Sequence, residues 1–297
     1  MKENFIKSLT VRDHLTAIIM IDLLNNWELF LPQILIGSII GALLSVLGIL
    51  LVLRNMTFFG VTLSQAVSFS VAFSLFMSWE NEIAPILISM LLIFPLVILR
   101  KTTVMKEEVV LGILFVFFAS LSQVLLALGG NVQNHLLASY FGDILTSQVK
   151  LNSLSVWLAL LSLFLYIALF RRFLFLSFDR EEYRIQIGNP IIFDIIFYMI
   201  LSIAVTVAVN ILGSYYSIAH MLLPVFTLLP IVKSTRILAI LCVLFSVIGT
   251  AGGFLLSLTG VNYHGEDIYF PTSSLIILFM CLLSFCFLII RRLIKSF

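Results

Sequence analysis

Charge is what this sequence has least of. Of its 297 residues only 11% are Asp, Glu, Lys or Arg, while 61% are hydrophobic. A soluble domain averages about 25% charged residues, so the chain is an integral membrane protein. Cysteine is nearly as scarce. Cys242, Cys281 and Cys286 all fall inside apolar runs, with neither metal-ligand spacing nor a disulfide framework. The motifs of nucleotide hydrolysis and intramembrane catalysis are also missing. No G-x-x-x-x-G-K-S/T occurs, which excludes ATP hydrolysis at a P-loop. H-E-x-x-H and G-x-S-x-G are absent too, and no acidic pair lies inside an apolar run, so the chain is not read as an enzyme. At the N-terminus, Asp22 interrupts the apolar run and no small-residue cleavage site follows, so a signal peptide is not expected.

What the sequence does have is apolar length. Runs at 30–53, 56–78, 83–99, 109–129, 151–170, 191–212, 213–232, 237–258 and 272–290 approach or exceed the roughly 20 residues that cross a bilayer as a helix. The seventh run is set apart from the sixth by Gly213 alone and contains Pro224 and Pro230. Broken helices in membranes are covered by protein or line a water-filled path. The expectation is therefore an all-α polytopic protein of eight or nine transmembrane helices. Residues 1–28 mix acids, bases and isoleucines and read as an interfacial segment, and residues 29–297 as a single membrane domain. Basic residues gather on one side, at Arg54, Arg100, Lys101, Lys106, Arg171, Arg172, Arg180, Arg184, Lys233, Arg236, Arg291, Arg292 and Lys295. The excess of Lys and Arg in cytoplasmic loops makes that side, with the C-terminus, the expected cytoplasmic one.

Some apolar runs carry small residues at helical spacing. Gly37, Gly41 and Ser45 recur every four residues, as do Gly249, Gly253 and Ser257. Such stripes let helix backbones approach closely in lipid, so these positions read as packing faces. The acidic and imidazole groups at the opposite end, Glu80, Glu82, Asp143, His264, Glu266 and Asp267, would suit a cation path or a docking surface, although solvated loop ends account for the same residues, and His14 and His135 read as isolated residues.

The longest charged island is residues 171–190, RRFLFLSFDREEYRIQIGNP. Asp179 is placed to cap a short helix beginning near Arg180, with Glu181 and Glu182 in its first turn where the helix dipole favours acids. Gly188 followed by Asn189-Pro190 reads as a stop and a restart. A short surface helix between two spans is expected, and a plain solvated loop fits the same spacing.

Five stretches in order resemble the permease family of zinc/manganese/iron ABC importers. Phe175-Leu176-Ser177-Phe178-Asp179 through Gly188 is similar to the family's L-x-S-F-D-P-E-x-A-x-x-x-G. Leu53-Arg54-Asn55-Met56 followed by Gly60, Leu63, Ser64 and Ala66 resembles its L-R-R-M-x-x-x-G-D-A-L-S-H-A. Glu107-Glu108 with Gly112, Ile113 and Phe115, then Phe141-Gly142-Asp143-Ile144-Leu145, are similar to E-D-x-x-x-G-I-x-F and L-F-G-D-I-L. Ala219 with Pro224, and Pro271-Thr272-Ser273-Ser274, complete the set. The resemblance implies a permease subunit in the inner (plasma) membrane of a bacterial cell, paired with a second permease, two cytoplasmic ABC ATPase subunits and an extracytoplasmic solute-binding protein. It implies no cofactor on this chain, with ATP held by the ATPase. Phe178, Asp179, Arg180, Glu181, Glu182 and Gly188 would then form the segment that couples to the ATPase.

One departure matters. The Asp and His that the family carries four residues apart on the second span correspond here to Val61 and Gln65. Valine cannot ligate, and an amide oxygen is a poor ligand for zinc, which favours imidazole, thiolate and carboxylate. His220, next to Met221 in the seventh run, is the imidazole left inside a span. Val61, Gln65, His220 and Met221 are thus the candidate path residues, with His220 the candidate metal ligand, although a histidine bonded to a neighbouring helix accounts for the same residue. The departure leaves open a metal chelate as cargo, a partner permease that supplies the ligands, or a subunit that does not transport.

Overall fold

A computed structural model of the chain describes residues 27–79, 81–102, 106–128, 153–258, 261–263, 266–268 and 270–296. Of the interfacial segment expected at residues 1–28, residues 1–26 lie outside the described residues and Trp27 and Glu28 begin the first helix; the Phe141–Leu145 motif, with Glu80, His135 and His264, also lies outside them. Ten helices are described: α1 Trp27–Leu53, α2 Thr57–Phe76, α3 Ile83–Thr102, α4 Glu107–Leu128, α5 Leu154–Phe178, α6 Arg180–Gln186, α7 Pro190–Leu212, α8 Ser214–Leu228, α9 Thr235–Ser257 and α10 Thr272–Ser296. A two-stranded antiparallel hairpin, β1 Val261–Tyr263 and β2 Glu266–Ile268, joins α9 to α10. Each of the nine apolar runs is a helix, and the polytopic all-α fold is as expected.

Seven of these helices are long and apolar enough to cross a membrane. The other two runs explain the spread of the expected count. In α3 the apolar stretch ends at Leu99, before Arg100 and Lys101, short of the roughly 20 residues a span needs. In α8 only 15 residues are helical, about 22 Å at 1.5 Å per residue, short of the roughly 30 Å hydrocarbon core. Gly213, at φ 87°, turns the chain between α7 and α8 in a single residue; most L-residues resist that conformation. After the turn α8 runs in the same direction as α1. Tyr216 meets Gly37 near the start of both, and Val225 packs with Ile49 near the end of both.

Three helices form the centre. The apolar windows of α1, α2 and α7 are 67%, 72% and 72% buried, against 22% for α4 and α10 and 28% for α5. A helix apolar all round is a buried one in this setting, and α1 fits that description: α2, α5, α7, α8 and α9 all pack on it. The outer helices show rows such as Leu87, Leu91, Phe94 and Ile98 on α3 that stay exposed, as a lipid-facing surface requires.

The small-residue stripes are where backbones meet. A Cβ at Gly41 would lie 2.6 Å from the His220 ring, and one at Gly253 only 2.3 Å from the Ile276 Cα. The tightest approach is one the stripes did not single out: a Cβ at Gly48 would sit 1.9 Å from the Met221 carbonyl oxygen. No rotamer change relieves a clash with a backbone atom. Gly48→Ala is therefore expected to push α1 off α8 and cost about 1–3 kcal/mol, read as a lower melting temperature in detergent. Gly112→Ala meets Phe58 alone, at 3.9 Å, and should hold or raise that temperature, since alanine gains up to about 1 kcal/mol over glycine in a helix.

Candidate functional site

The charged island folds as its caps dictate, with one difference. α5 does not stop where the apolar run ends. It continues through Arg171 and Arg172 to Phe178, so those arginines are helical rather than part of a loop. The guanidinium of Arg172 lies 5.5 Å from the Phe193 ring, which gives the protruding turn of α5 a contact with α7. Asp179 then breaks the helix and caps the next, its carboxylate accepting the Glu182 N–H at 2.9 Å. After the seven residues of α6, Gly188 at φ 126° ends the segment, and the Asn189 side chain accepts the Ile191 N–H at the start of α7. Gln186 donates to Glu182 along the exposed side of α6.

α6 has an inner and an outer face. Inside, Tyr183 is fully buried, its ring 5.5 Å from both Phe175 of α5 and Phe193 of α7. Its hydroxyl has no hydrogen-bond partner among the described residues. Outside, among the charged and polar residues of the helix, Ile185 is 79% exposed, and Phe178, the last residue of α5, is 72% exposed beside it.

Beneath α6 lies a charge cluster that the sequence reading did not single out. Arg54, just past the end of α1, donates from Nη1 to Asp194 Oδ1 at 3.1 Å, from Nε to Ser177 Oγ at 2.8 Å, and from Nη2 to the Phe173 carbonyl at 3.2 Å. Its guanidinium also sits 4.6 Å from the Phe197 ring centre. The second oxygen of Asp194 accepts from Arg180 of α6 at 2.9 Å. The Arg54 and Asp194 side chains are only 8% and 9% exposed. Burial pulls the Arg54 guanidinium below its ordinary value while Asp194 pulls it back up; arginine stays charged in proteins regardless. A signal for this cluster existed. Asp194 is an acid one turn inside an apolar run, and ionisable residues there are functional candidates by default.

The candidate path residues divide. Val61 is half-buried on α2, and Gln65 is fully buried one turn further, its Oε1 without a hydrogen-bond partner among the described residues. Ser64 and Ser68 beside it donate back to the carbonyls of Gly60 and Ser64 on their own helix. Met221 reaches α2, where its sulfur lies 3.8 Å from the place of a Cβ on Gly60. His220 points elsewhere, into the groove left by Gly41 between α1 and α9. Both ring nitrogens are occupied: Nδ1 lies 3.1 Å from the Tyr216 carbonyl and Nε2 3.0 Å from Thr250 Oγ1. The ring stacks on Tyr216 at 3.8 Å, whose hydroxyl in turn donates to Gly37. The structure thus brings Met221 to the α2 side but does not bring His220 there. Among the described residues no three His, Cys, Asp or Glu side chains converge. At the opposite end Glu82 accepts both the N–H and the hydroxyl of Ser155, so this carboxylate closes a helix end.

These features define a polytopic helical membrane protein with a short, largely charged surface helix at its basic end, held by the buried Tyr183 ring and by the Arg180–Asp194 ion pair. The chain belongs to the ABC 3 transport family, whose model matches residues 26–291. It is 31% identical over 119 residues to the high-affinity zinc uptake system membrane protein ZnuB of Haemophilus influenzae, a match covering 40% of this chain and 46% of that protein, so it spans less than half of that relative. It is 24% identical over 225 residues to the protein of the same name from Buchnera aphidicola, covering 75% of this chain and 86% of that one. Its fold is similar to that of PsaBC from Streptococcus pneumoniae in complex with Fab, with a TM-score of 0.74, 19% identity, and coverage of 90% and 93% of the two chains.

The burial of Tyr183 sets a test of how α6 is held. Removing its ring with Tyr183→Ala should loosen α6 by about 3 kcal/mol, seen as faster amide hydrogen exchange over residues 180–186. Tyr183→Phe should leave exchange as slow or slower, because a buried hydroxyl without a partner costs about 1–3 kcal/mol.

Proposed function

We propose that this chain is the permease subunit of an ATP-driven ABC importer for divalent transition metal ions, zinc, manganese or iron, working by alternating access. The observation that carries the reading is the family match along nearly the whole chain, joined by the zinc uptake role in the names of two relatives. In this reading the basic end is cytoplasmic, as is the C-terminus, and the membrane is the bacterial inner membrane. Cytoplasmic ATPase subunits supply ATP hydrolysis and receive Phe178 at the end of α5 and Ile185 of α6. A second permease completes the path, and a solute-binding protein delivers cargo from outside.

The path would run along α2 and α8. Gln65 supports this, as a fully buried acceptor with its oxygen free of partners among the described residues. His220 would enter as a metal ligand by exchanging its bond to Thr250 for the ion, since imidazole is the better zinc donor. The neutral side chains at Val61 and Gln65 also fit a pair of unlike permeases in which the partner carries the acid and imidazole.

Deleting the gene should lower the cellular content of one of the three metals under limitation of that metal; unchanged zinc, manganese and iron would contradict metal import and favour a subunit that does not transport. His220→Ala separates the two roles of the ring. Loss of a ligand should weaken uptake by roughly ten-fold or more, whereas unchanged uptake with normal membrane insertion returns His220 to helix packing.

A further inference from the structure

Asp194 is shared in a way that simple charge neutralisation does not require. Its Oδ1 takes Arg54 at 3.1 Å and its Oδ2 takes Arg180 at 2.9 Å, so one carboxylate joins two arginines from distant parts of the chain. The two are anchored differently. Arg54 is fixed by Ser177, by the Phe173 carbonyl and by the Phe197 ring. Arg180 is 49% exposed and sits in the first turn of α6.

The apolar anchor of α6 cannot do what this ion pair does. Tyr183 ties α6 to Phe175 and Phe193, on the two helices that flank it in sequence. The chain of contacts from Arg180 through Asp194 to Arg54 instead reaches the turn between α1 and α2. That turn is short and constrained: Arg54 is followed by Asn55 at φ 54°, and α2 begins at Thr57. Gln65 lies eight residues along α2, roughly 12 Å from its start. A cleft of about 280 Å³ opens beside the cluster, lined in part by Arg54, Ser177, Phe178, Arg180 and Asp194. It leaves room for Arg180 and Asp194 to shift together. Packed helices answer a displacement by stepping between discrete arrangements, because close-packed interiors are bistable and not continuously deformable.

We propose that Asp194 is the joint through which displacement of α6 is passed to the α1–α2 turn and so to the helix bearing Val61 and Gln65. Asp194, Arg54 and Arg180 are positioning residues that touch no cargo. The proposal rests on the importer reading and adds to it the route by which the docking helix acts on the path.

The test uses the complete transporter, this chain with its second permease, ATPase and binding protein, in lipid vesicles. ATP hydrolysis and uptake of Zn²⁺, Mn²⁺ and Fe²⁺ are measured side by side. Arg180→Gln removes the α6 end of the joint and leaves the buried Arg54–Asp194 pair intact, so folding is retained. The expected result is metal moved per ATP hydrolysed lowered roughly five-fold or more, the low end of typical coupling between sites. Arg180→Lys should restore most of it, and the equal loss of charge in Arg184→Gln should have no effect. Unchanged metal per ATP in Arg180→Gln overturns the joint. So does a parallel fall of hydrolysis and uptake, which would mean that Arg180 serves only to hold the ATPase. Wild-type vesicles that move none of the three metals overturn the importer reading, and the joint with it, and that result is distinct from a failure confined to the variants.

Discussion

A guanidinium kept out of water at the end of the first span constrains everything around the basic face. Burying an ion costs several kcal/mol unless it is paired and its remaining donors are satisfied, and removing one partner of such a pair costs about 3–5 kcal/mol. Arg54 meets that demand with a carboxylate, a hydroxyl, a carbonyl and an aromatic ring drawn from α5 and α7. Those groups have to be where they are. α5 must extend beyond its apolar run to bring Phe173 and Ser177 under Arg54, and α7 must begin early enough to place Asp194 one turn inside. The position of α6 then follows, since Arg180 completes the same carboxylate.

Inside the bundle the governing constraint is different. In lipid no hydrophobic force favours one helix pairing over another, so association relies on close packing and on interhelical hydrogen bonds. The centre of this protein uses both. Gly48 admits the backbone of α8, while Tyr216 and His220 bond to α1 and α9 from the same helix. Ser89, Ser202 and Thr206 do the same between α3 and α7, with hydroxyl contacts of 2.7 and 3.0 Å. A histidine within a span is thereby fully accounted for by packing in this conformation, and its service to a metal requires a second one.

The cargo question turns on α2. Its buried face carries Thr62, Ser64, Gln65, Ser68, Ser70 and Ser74, an unusual density of polar groups for a helix 72% buried. Most of the hydroxyls are spent on carbonyls one turn back. Gln65 is the exception, its oxygen without a partner among the described residues. A neutral oxygen alone holds a transition metal weakly, which is why companion groups from another helix or another permease belong to the proposal.

Much of this architecture was determined by local sequence. Nine apolar runs set nine helices because a chain in lipid must satisfy every backbone group within the segment. The caps at Asp179 and Asn189 and the stop at Gly188 set α6, since side-chain oxygens and a glycine free to take positive φ act over three or four residues. The Gly41 and Gly253 faces were legible from spacing alone. The true length of α5 was not, because a helix that leaves the membrane on Arg171 and Arg172 is stabilised by contacts with α7. Nor was the Arg54–Asp194–Arg180 cluster, whose members are separated by more than a hundred residues in two of three pairings. The opposed directions of His220 and Met221 depend on how α8 is rotated against α1 and α2. Sequence periodicity fixes which residues share a face; which neighbour that face meets is decided only when the helices pack.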